Sequence, residues 1–332
     1  MKLSLPANPR ILIIRMSSLG DLFHSLPVAR ELKKKLGATI DWVTQPEYAE
    51  LLECFADVDR VIVFPRKKFM QSAWWFVKSV RRNRYDAVID LQGLGKSALA
   101  ARLARARVRI GPSYHREGAR FFYTHVAGRK NKNRHAVDEA LDVVRYLGLE
   151  PSEIEFPVQF PDVPLEGSRR VVLVPCSRWA TKNWPVEKFI ELGRKLTEAR
   201  PDVTIFLAGS PADAGVCRRI EEGMGGRVVN LCGKTSLVEL GGILKSANLV
   251  ITVDSGPMHM AAAIGVPVLA VFGATDPVRT GPFGKPHRVV TFEGKLDCRP
   301  CLARTCRRGD LRCLSALHTD RVLSAALEML GP

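Results

Sequence analysis

Residues 248–277 read NLVITVDSGPMHMAAAIGVPVLAVFGATDP. Leu249 to Val253 is a short β-branched run, broken by Asp254-Ser255-Gly256. Pro257 suits the first helical position, where its missing N–H costs nothing. A helix of small residues then runs to Gly265, a C-terminal stop signal. Val266 to Phe272 is a second apolar run, closed by Gly273-Ala274-Thr275-Asp276-Pro277. Strand, tight turn, helix, strand is the unit of an open parallel sheet. Its helix start sets backbone N–H groups and a positive dipole end beside hydroxyl and carboxylate side chains. Such a place binds anions, phosphates among them. Ser255 and His259 are four apart and share that helix face. The plainer alternative is that Asp254 and Ser255 only cap the helix.

The same rhythm extends towards the N-terminus. Val171 to Val174 reads as a strand, followed by the polar turn PCSRWATKNWP at 175–185, a helix over Val186 to Ala199 and a strand over Val203 to Leu207. After the Gly209-Ser210 turn come a helix at Cys217 to Gly223, a strand at Val228 to Leu231 and a helix at Ser236 to Ala247. Before them, PSEIEFPVQFPDVPLEG (151–167) has four prolines and no helical period. This is the clearest linker in the chain. A second βα series precedes it. Ile11 to Ile14 is a buried-type strand, Arg15 to Asp21 a glycine-containing turn, and Leu22 to Leu36 a helix in which Pro27 must fall in the first turns or make a kink. Thr39 to Thr44, Val61 to Phe64 and Asp86 to Leu91 are further strands. The first turn lacks the GxGxxG fingerprint, and Gln92 to Ser97 has its first glycine misplaced for a P-loop. The expected organisation is a domain at 1–155, a linker at about 156–167 and a domain at 168–332, with ligands held in a cleft between two sets of strand ends.

Hydrophobic and charged fractions of 46% and 25% are ordinary for a globular protein, but a net charge of +16 is not. Residues 1–160 carry 27 Lys+Arg against 17 Asp+Glu, and the remainder 23 against 17. The excess leans to the first half and points to an anionic partner there: a nucleic acid, an anionic membrane or a phosphorylated substrate. Phe69 to Arg84 (FMQSAWWFVKSVRRNR) fits a surface helix against a membrane or lipid-linked substrate, or an ordinary helix with its aromatics in the core. No apolar run approaches the roughly 18–20 residues of a membrane span. MKLSLPANPR has no signal-peptide core, so the expected location is the cytoplasm.

Several short motifs together resemble the ADP-heptose:lipopolysaccharide heptosyltransferases, glycosyltransferase family 9, and most of all the heptosyltransferase I branch. They are Ser17-Ser18-Leu19-Gly20-Asp21 with His24, Asp90-Leu91-Gln92-Gly93-Leu94-Gly95-Lys96-Ser97, Lys182-Asn183-Trp184-Pro185, Val253-Asp254-Ser255-Gly256 with His259, and Gly273 to Pro277. The resemblance implies an α/β GT-B fold, with two Rossmann-like domains whose parallel sheets face each other across a cleft. It implies metal-independent, inverting transfer of L-glycero-D-manno-heptose from ADP-heptose to the Kdo of a Kdo-lipid A acceptor, at the cytoplasmic face of the inner membrane.

By the same resemblance Asp21 is the general base, the alternative being a helix N-cap for Leu22 onward. Lys182 is the phosphate-binding lysine and Ser177 a phosphate-contacting hydroxyl. Asp254, Ser255, Gly256 and His259 complete the donor site, with Glu222 a ribose contact. Where the first branch carries a threonine pair, this chain has Ser177-Arg178. Acceptor contacts are expected at Ser18 and Gly20, and, by position and charge, at Arg66, Lys67, Lys68 and Arg120. No cofactor is expected for catalysis and no nucleic acid as partner, since the basic residues are scattered and no nucleic-acid motif appears. Rival readings are a heptosyltransferase II or another family member with a different acceptor, and more remotely a sugar-nucleotide epimerase or a nucleic-acid-binding protein. Cys298, Cys301, Cys306 and Cys313 form C-x2-C-x4-C-x6-C, a spacing that invites a structural zinc; four reduced thiols in a compact loop are the alternative. Cys54, Cys176, Cys217 and Cys232 read as core residues.

Overall fold

The computed structural model describes residues 3–65, 69–131, 133–226 and 228–331. The chain divides into two compact units, residues 1–159 and 160–332. In unit 1 the strands are β1 (Arg10–Ile14), β2 (Thr39–Thr44), β3 (Arg60–Val63), β4 (Arg84–Asp90), β5 (Arg105–Pro112) and β6 (His125–Ala127). Its helices are α1 (Leu19–Leu36), α2 (Ala49–Glu53), α3 (Phe69–Val80), α4 (Gly95–Leu103), α5 (Ala136–Ala140) and α6 (Asp142–Tyr146). Unit 2 runs β7 (Arg169–Val174), α7 (Val186–Ala199), β8 (Val203–Leu207), α8 (Ala214–Met224), β9 (Val228–Asn230) and α9 (Leu237–Lys245). It continues through β10 (Leu249–Val253), α10 (Gly256–Ile264), β11 (Val268–Phe272), α11 (Pro277–Thr280), β12 (Arg288–Thr291), α12 (Arg312–Ser315) and α13 (Thr319–Leu330).

Both sheets are parallel throughout, in the orders β3-β2-β1-β4-β5-β6 and β12-β11-β10-β7-β8-β9. Counted from the first strand of each unit, the two orders are the same doubly wound arrangement. The chain reverses direction across the sheet between β1 and β4 in unit 1 and between β7 and β10 in unit 2. At such a reversal the flanking loops leave in opposite directions and open a crevice beyond the strand carboxyl ends.

Every residue of β10 and β11 is buried, as strands with both faces covered must be. Period-two alternation sends Val171, Leu173, Ile251, Val253, Leu269 and Val271 to one face. There they pack on Phe189, Leu192 and Leu196 of α7, Ile220 of α8, and Val322 and Ala326 of α13. Truncating one of the leucines or isoleucines among them to alanine costs about 2–5 kcal/mol, set by how far the site collapses.

The structure differs from the sequence reading at several points. Helix α1 begins at Leu19, and Pro27 lies well inside it, where it removes one intrahelical hydrogen bond. Pro257 takes the second position of α10, behind Gly256. The proline-rich segment is stitched down rather than free. Val158 bridges Phe55, and the Gln159 N–H donates to the Cys54 carbonyl at 2.8 Å. Beyond it, the Ser246 hydroxyl donates to the Val163 carbonyl at 2.6 Å. A Cβ on Gly241 would fall 2.2 Å from the Phe160 ring, so this close approach requires glycine.

Candidate active site

The loop after β1 is built around a capping box. Ser18 is the N-cap of α1 and Asp21 its third residue. Asp21 Oδ2 accepts from the Ser18 N–H at 3.0 Å and the Ser18 hydroxyl at 2.8 Å. Asp21 is therefore not the N-cap of a helix starting at Leu22. Its Oδ1 pairs with the Arg15 guanidinium at 2.6 Å and lies 3.9 Å from His24 Nδ1. A carboxylate has about four acceptor sites, and three are taken. Among the described residues the fourth is open, and 36% of the side chain is exposed. Burial pushes the Asp21 carboxyl up, but Arg15, then His24 and the two Ser18 bonds, outweigh it and hold the group well below the usual carboxylate range.

Residues from the loop after β4, across the sheet reversal, support this arrangement. Gln92 Oε1 accepts from the Met16 and Ser17 N–H groups at 2.8 and 3.3 Å. The Leu91 carbonyl accepts from Arg15 and from the Tyr114 hydroxyl. Asp90, fully buried at the end of β4, takes four bonds: Gln92 and Gly93 N–H on one oxygen, the Ser97 and Tyr123 hydroxyls on the other. Burial pushes Asp90 above its usual range, and those donors only partly offset it. His24 is buried, its ring edge-on to His135 at 5.3 Å. Gly20 is buried in the first turn. Arg120 is exposed and donates to the Tyr123 carbonyl at 3.1 Å. The expected acceptor residues Arg66, Lys67 and Lys68 lie outside the described residues.

In unit 2 the loops after β7 and β10 meet at an ion pair. Lys182 Nζ lies 2.8 Å from Asp254 Oδ2, which also accepts from the Thr275 hydroxyl at 2.6 Å. Asp254 is almost wholly buried, while 18% of the lysine side chain is exposed. A carboxylate so placed anchors the lysine ammonium through a charge-assisted bond. Lys182 also sits 4.8 Å over the Trp179 ring. The Ser177 N–H donates to Asn183 Oδ1 at 2.7 Å. Ser255 is the N-cap of α10 yet makes no side-chain cap bond; its hydroxyl lies 3.1 Å from that of Thr252. Ser255 thus holds the N-cap position without a side-chain bond to the helix, and Asp254 does not hold it. The N–H groups of Gly256 and Met258, on either side of Pro257, lie at this helix start, with His259 buried one turn further on.

Glu222 is exposed near the end of α8 and, among the described residues, joins no hydrogen bond or ion pair. Asp213 accepts from the Ser210 N–H and hydroxyl at 2.8 and 2.6 Å and faces Cys176 in the loop after β7. Burial and then Asp213 push the Cys176 thiol up to about 12. Cys298, Cys301, Cys306 and Cys313 line one cavity of about 30 Å³ together with Thr181 and Ala274. Among the described residues, however, no three His, Cys, Asp or Glu side chains stand close enough to hold a metal ion. The loop clasps the lysine-bearing turn instead. Thr181, next to Lys182, donates to the Ala303 carbonyl at 2.6 Å, and the Leu302 N–H donates to the Ala274 carbonyl at 3.0 Å.

Arg15, Gln92, Tyr114 and Thr275 were not assigned roles from sequence. Gln92 and Thr275 lay inside quoted motifs, which was the available signal; Arg15 stood in the turn that ends at Asp21, its ion-pair partner, and Tyr114 gave no signal, because its partner Leu91 is distant in the chain.

The family profile described as "Glycosyltransferase family 9 (heptosyltransferase)" matches residues 73–311. "Lipopolysaccharide heptosyltransferase 1" of Pseudomonas aeruginosa is 29% identical, with 97% of this chain and 98% of that protein covered. Its namesake in Escherichia coli K12 is 30% identical over 84% of this chain and 92% of that one. The structure of E. coli heptosyltransferase WaaC with ADP superposes with a TM-score of 0.78 at 27% identity, covering 96% of this chain and 99% of that one. The same enzyme with ADP-2-deoxy-2-fluoro heptose gives 0.75 at 27% identity, covering 96% and 100%. With a doubly wound sheet in each unit and the motif residues at both reversals, the chain belongs to glycosyltransferase family 9, the heptosyltransferases, and has their GT-B architecture.

Proposed function

We propose that this chain moves a heptosyl group from ADP-heptose to a Kdo hydroxyl of the lipopolysaccharide inner core, with inversion at the anomeric carbon. The observation that carries the reading is the pairing at each sheet reversal: a carboxylate with one open acceptor site after β1, and a partly exposed lysine beside a helix start with no side-chain cap bond after β7 and β10. Unit 1 takes the acceptor and unit 2 the nucleotide sugar.

An acceptor hydroxyl is a poor acid until its oxygen begins to bond to the oxocarbenium-like anomeric carbon. Its proton then becomes strongly acidic, and a carboxylate of low basicity suffices to take it. The low pKa of Asp21 keeps it unprotonated, and Ser18 and Arg15 fix its direction. The bond from the anomeric carbon to the diphosphate oxygen breaks as the new one forms, and charge collects on the leaving ADP. Lys182, the Gly256 and Met258 N–H groups and the Ser177 hydroxyl are the donors offered to that growing charge, the arrangement that lowers such a barrier. These groups supply the charge neutralisation without a metal ion, so EDTA is expected to leave the rate unchanged.

Mass spectrometry of Kdo2-lipid A incubated with ADP-heptose tests the reading. One added heptose is expected with the native chain and almost none with Asp21→Asn. No addition by either would refute the acceptor assignment, and equal addition by both would remove Asp21 as base. Free epimerised sugar released without acceptor would favour the epimerase reading.

A further inference from the structure

We propose that the side of unit 1 formed by α3, α4 and the 3-10 turn Ala119–Phe122 is a docking surface for an anionic lipid bilayer, with Trp74 and Trp75 seated among the headgroups. Right-handed crossovers put these elements on one face of the sheet. The connections β3-α3-β4 and β4-α4-β5 advance in the same direction along the strand order, whereas β1-α1-β2 and β2-α2-β3 advance in the other. Helices α3 and α4 touch, with the Arg81 guanidinium donating to the Leu103 carbonyl at 3.4 Å. The 3-10 turn packs on α4 through Ala98, Ala119 and Tyr123.

Two properties of this face point to a bilayer. It is apolar where a water-facing surface should not be. Phe76 and Val80 of α3 enter the core, while Trp74 and Trp75 are each 62% exposed. Their rings stack edge-on at 4.9 Å, and Lys78 Nζ lies 4.9 and 5.6 Å from the two ring centroids. Leu99 of α4 and Phe121 of the turn are also exposed, Phe121 by 91%. Among the described residues, every exposed Trp or Phe in this set of large exposed side chains belongs to this face.

The face is also strongly basic. Residues 69–122 hold 11 Lys+Arg against 3 Asp+Glu, a net +8 and half of the chain's +16. One of the three acids, Asp90, is fully buried. Lys78, Arg81, Arg82, Lys96, Arg102 and Arg105 are exposed.

Indole rings favour the bilayer–water interface, lysine stems extend along apolar surface with the ammonium kept among phosphates, and clustered cations are drawn to anionic lipid. Apolar and electrostatic attraction together give a hold that neither gives alone. No helix among the described residues is long and apolar enough to cross a membrane, so the contact is lateral. The choice of lipid as occupant rests on the proposed acylated acceptor, but the binding can be tested without it.

The test is co-sedimentation of the full chain with vesicles of phosphatidylcholine alone or mixed with phosphatidylglycerol, in the absence of acceptor. Binding is expected only with phosphatidylglycerol, weakening as salt is added. The Trp74→Ala/Trp75→Ala chain should bind about tenfold more weakly, as should Lys78→Glu/Arg102→Glu, both with an unchanged melting temperature. Transfer to a deacylated, water-soluble acceptor should be unaffected by either change, while transfer to acceptor presented in vesicles falls. Equal vesicle binding by native and variant chains would overturn the proposal. So would equal binding to uncharged vesicles, loss of transfer to the soluble acceptor, tighter binding to DNA than to the vesicles, or a dimer in solution that the tryptophan changes abolish. Vesicle binding through the tryptophans in a chain that transfers no heptose would uphold the docking surface and refute the acceptor reading.

Discussion

The two sheet reversals carry the same device with its polarity exchanged. In unit 1 the pair is Arg15–Asp21, with the arginine side chain 11% and the aspartate 36% exposed. In unit 2 it is Asp254–Lys182, with the aspartate 4% and the lysine 18% exposed. Each time the buried member is fixed by neighbours and holds the more exposed member in place. In the proposed reaction the more exposed member is an acid where a proton is taken and a cation where a diphosphate leaves. The parallel sheets position both; the sign of the group left open decides the chemistry.

The largest effect that would break this comparison is at Asp21. A general base contributes about 10²–10⁴-fold, so Asp21→Asn should lower kcat by that order with the dissociation constant for ADP unchanged, measured by calorimetry. Weaker ADP binding in that variant would show that Asp21 is not confined to the acceptor side. Next is Lys182→Met, expected to lower kcat/KM about 10²–10³-fold, the range for one lost transition-state donor. It also leaves Asp254 buried without its cation, so the melting temperature should fall. Lys182→Met/Asp254→Asn should recover the melting temperature and none of the activity. If the double variant recovered activity, the holder and the acting group would have been misassigned.

The parts of this plan legible in the sequence were those written locally. Val250 to Val253 is β-branched and Val268 to Phe272 apolar at every position, and the turns that end them are rich in glycine, proline and hydroxyl side chains, so strand, helix start and strand fell where expected. Strand β5 escaped notice because Arg105, Arg107 and Arg109 alternate with Ala106 and Val108. Its outward half is charged and its burial begins only near Ile110, so it resembled a basic run rather than a strand. Capping misled in a related way. Asp21 was weighed as base or N-cap, whereas Ser18 caps and one Asp21 oxygen serves the box while the other pairs with Arg15. The holder Tyr114 could not be seen, since its partner Leu91 is distant in the chain. Glu222 was assigned from its approximate position in a helix; it is exposed and, among the described residues, joins no hydrogen bond or ion pair.

Changing a holder should have a smaller effect than changing the group it holds, and pH separates the two. The folded Asp21 carboxyl is depressed chiefly by Arg15 acting against burial. Its contribution to stability is therefore present above the unfolded value of about 3.9 and is lost as pH falls through the depressed folded value. Arg15→Met removes the main lowering influence and leaves burial opposed only by His24 and Ser18. The acidic limb of the kcat/KM profile should then move to higher pH, with the plateau reduced less than in Asp21→Asn. An unmoved limb would mean that Arg15 does not set the protonation of the base.

The smallest effect concerns the cysteine-bearing loop. The Thr181 hydroxyl ties the lysine turn to the Ala303 carbonyl, and the four thiols line the same cavity as Thr181 and Ala274. Thr181→Val keeps the shape and removes one hydrogen bond, worth about 1 kcal/mol or several-fold in an equilibrium constant. Lys182 would keep its bond to Asp254 but gain freedom, so KM for ADP-heptose should rise several-fold with kcat nearly unchanged. Alkylation of the exposed Cys298 and Cys301 should act in the same direction if the loop positions the lysine. A fall in kcat at constant KM would instead place the loop's influence on the transferring step, and the two reversals would then share a closer dependence on their surroundings than their separate ion pairs imply.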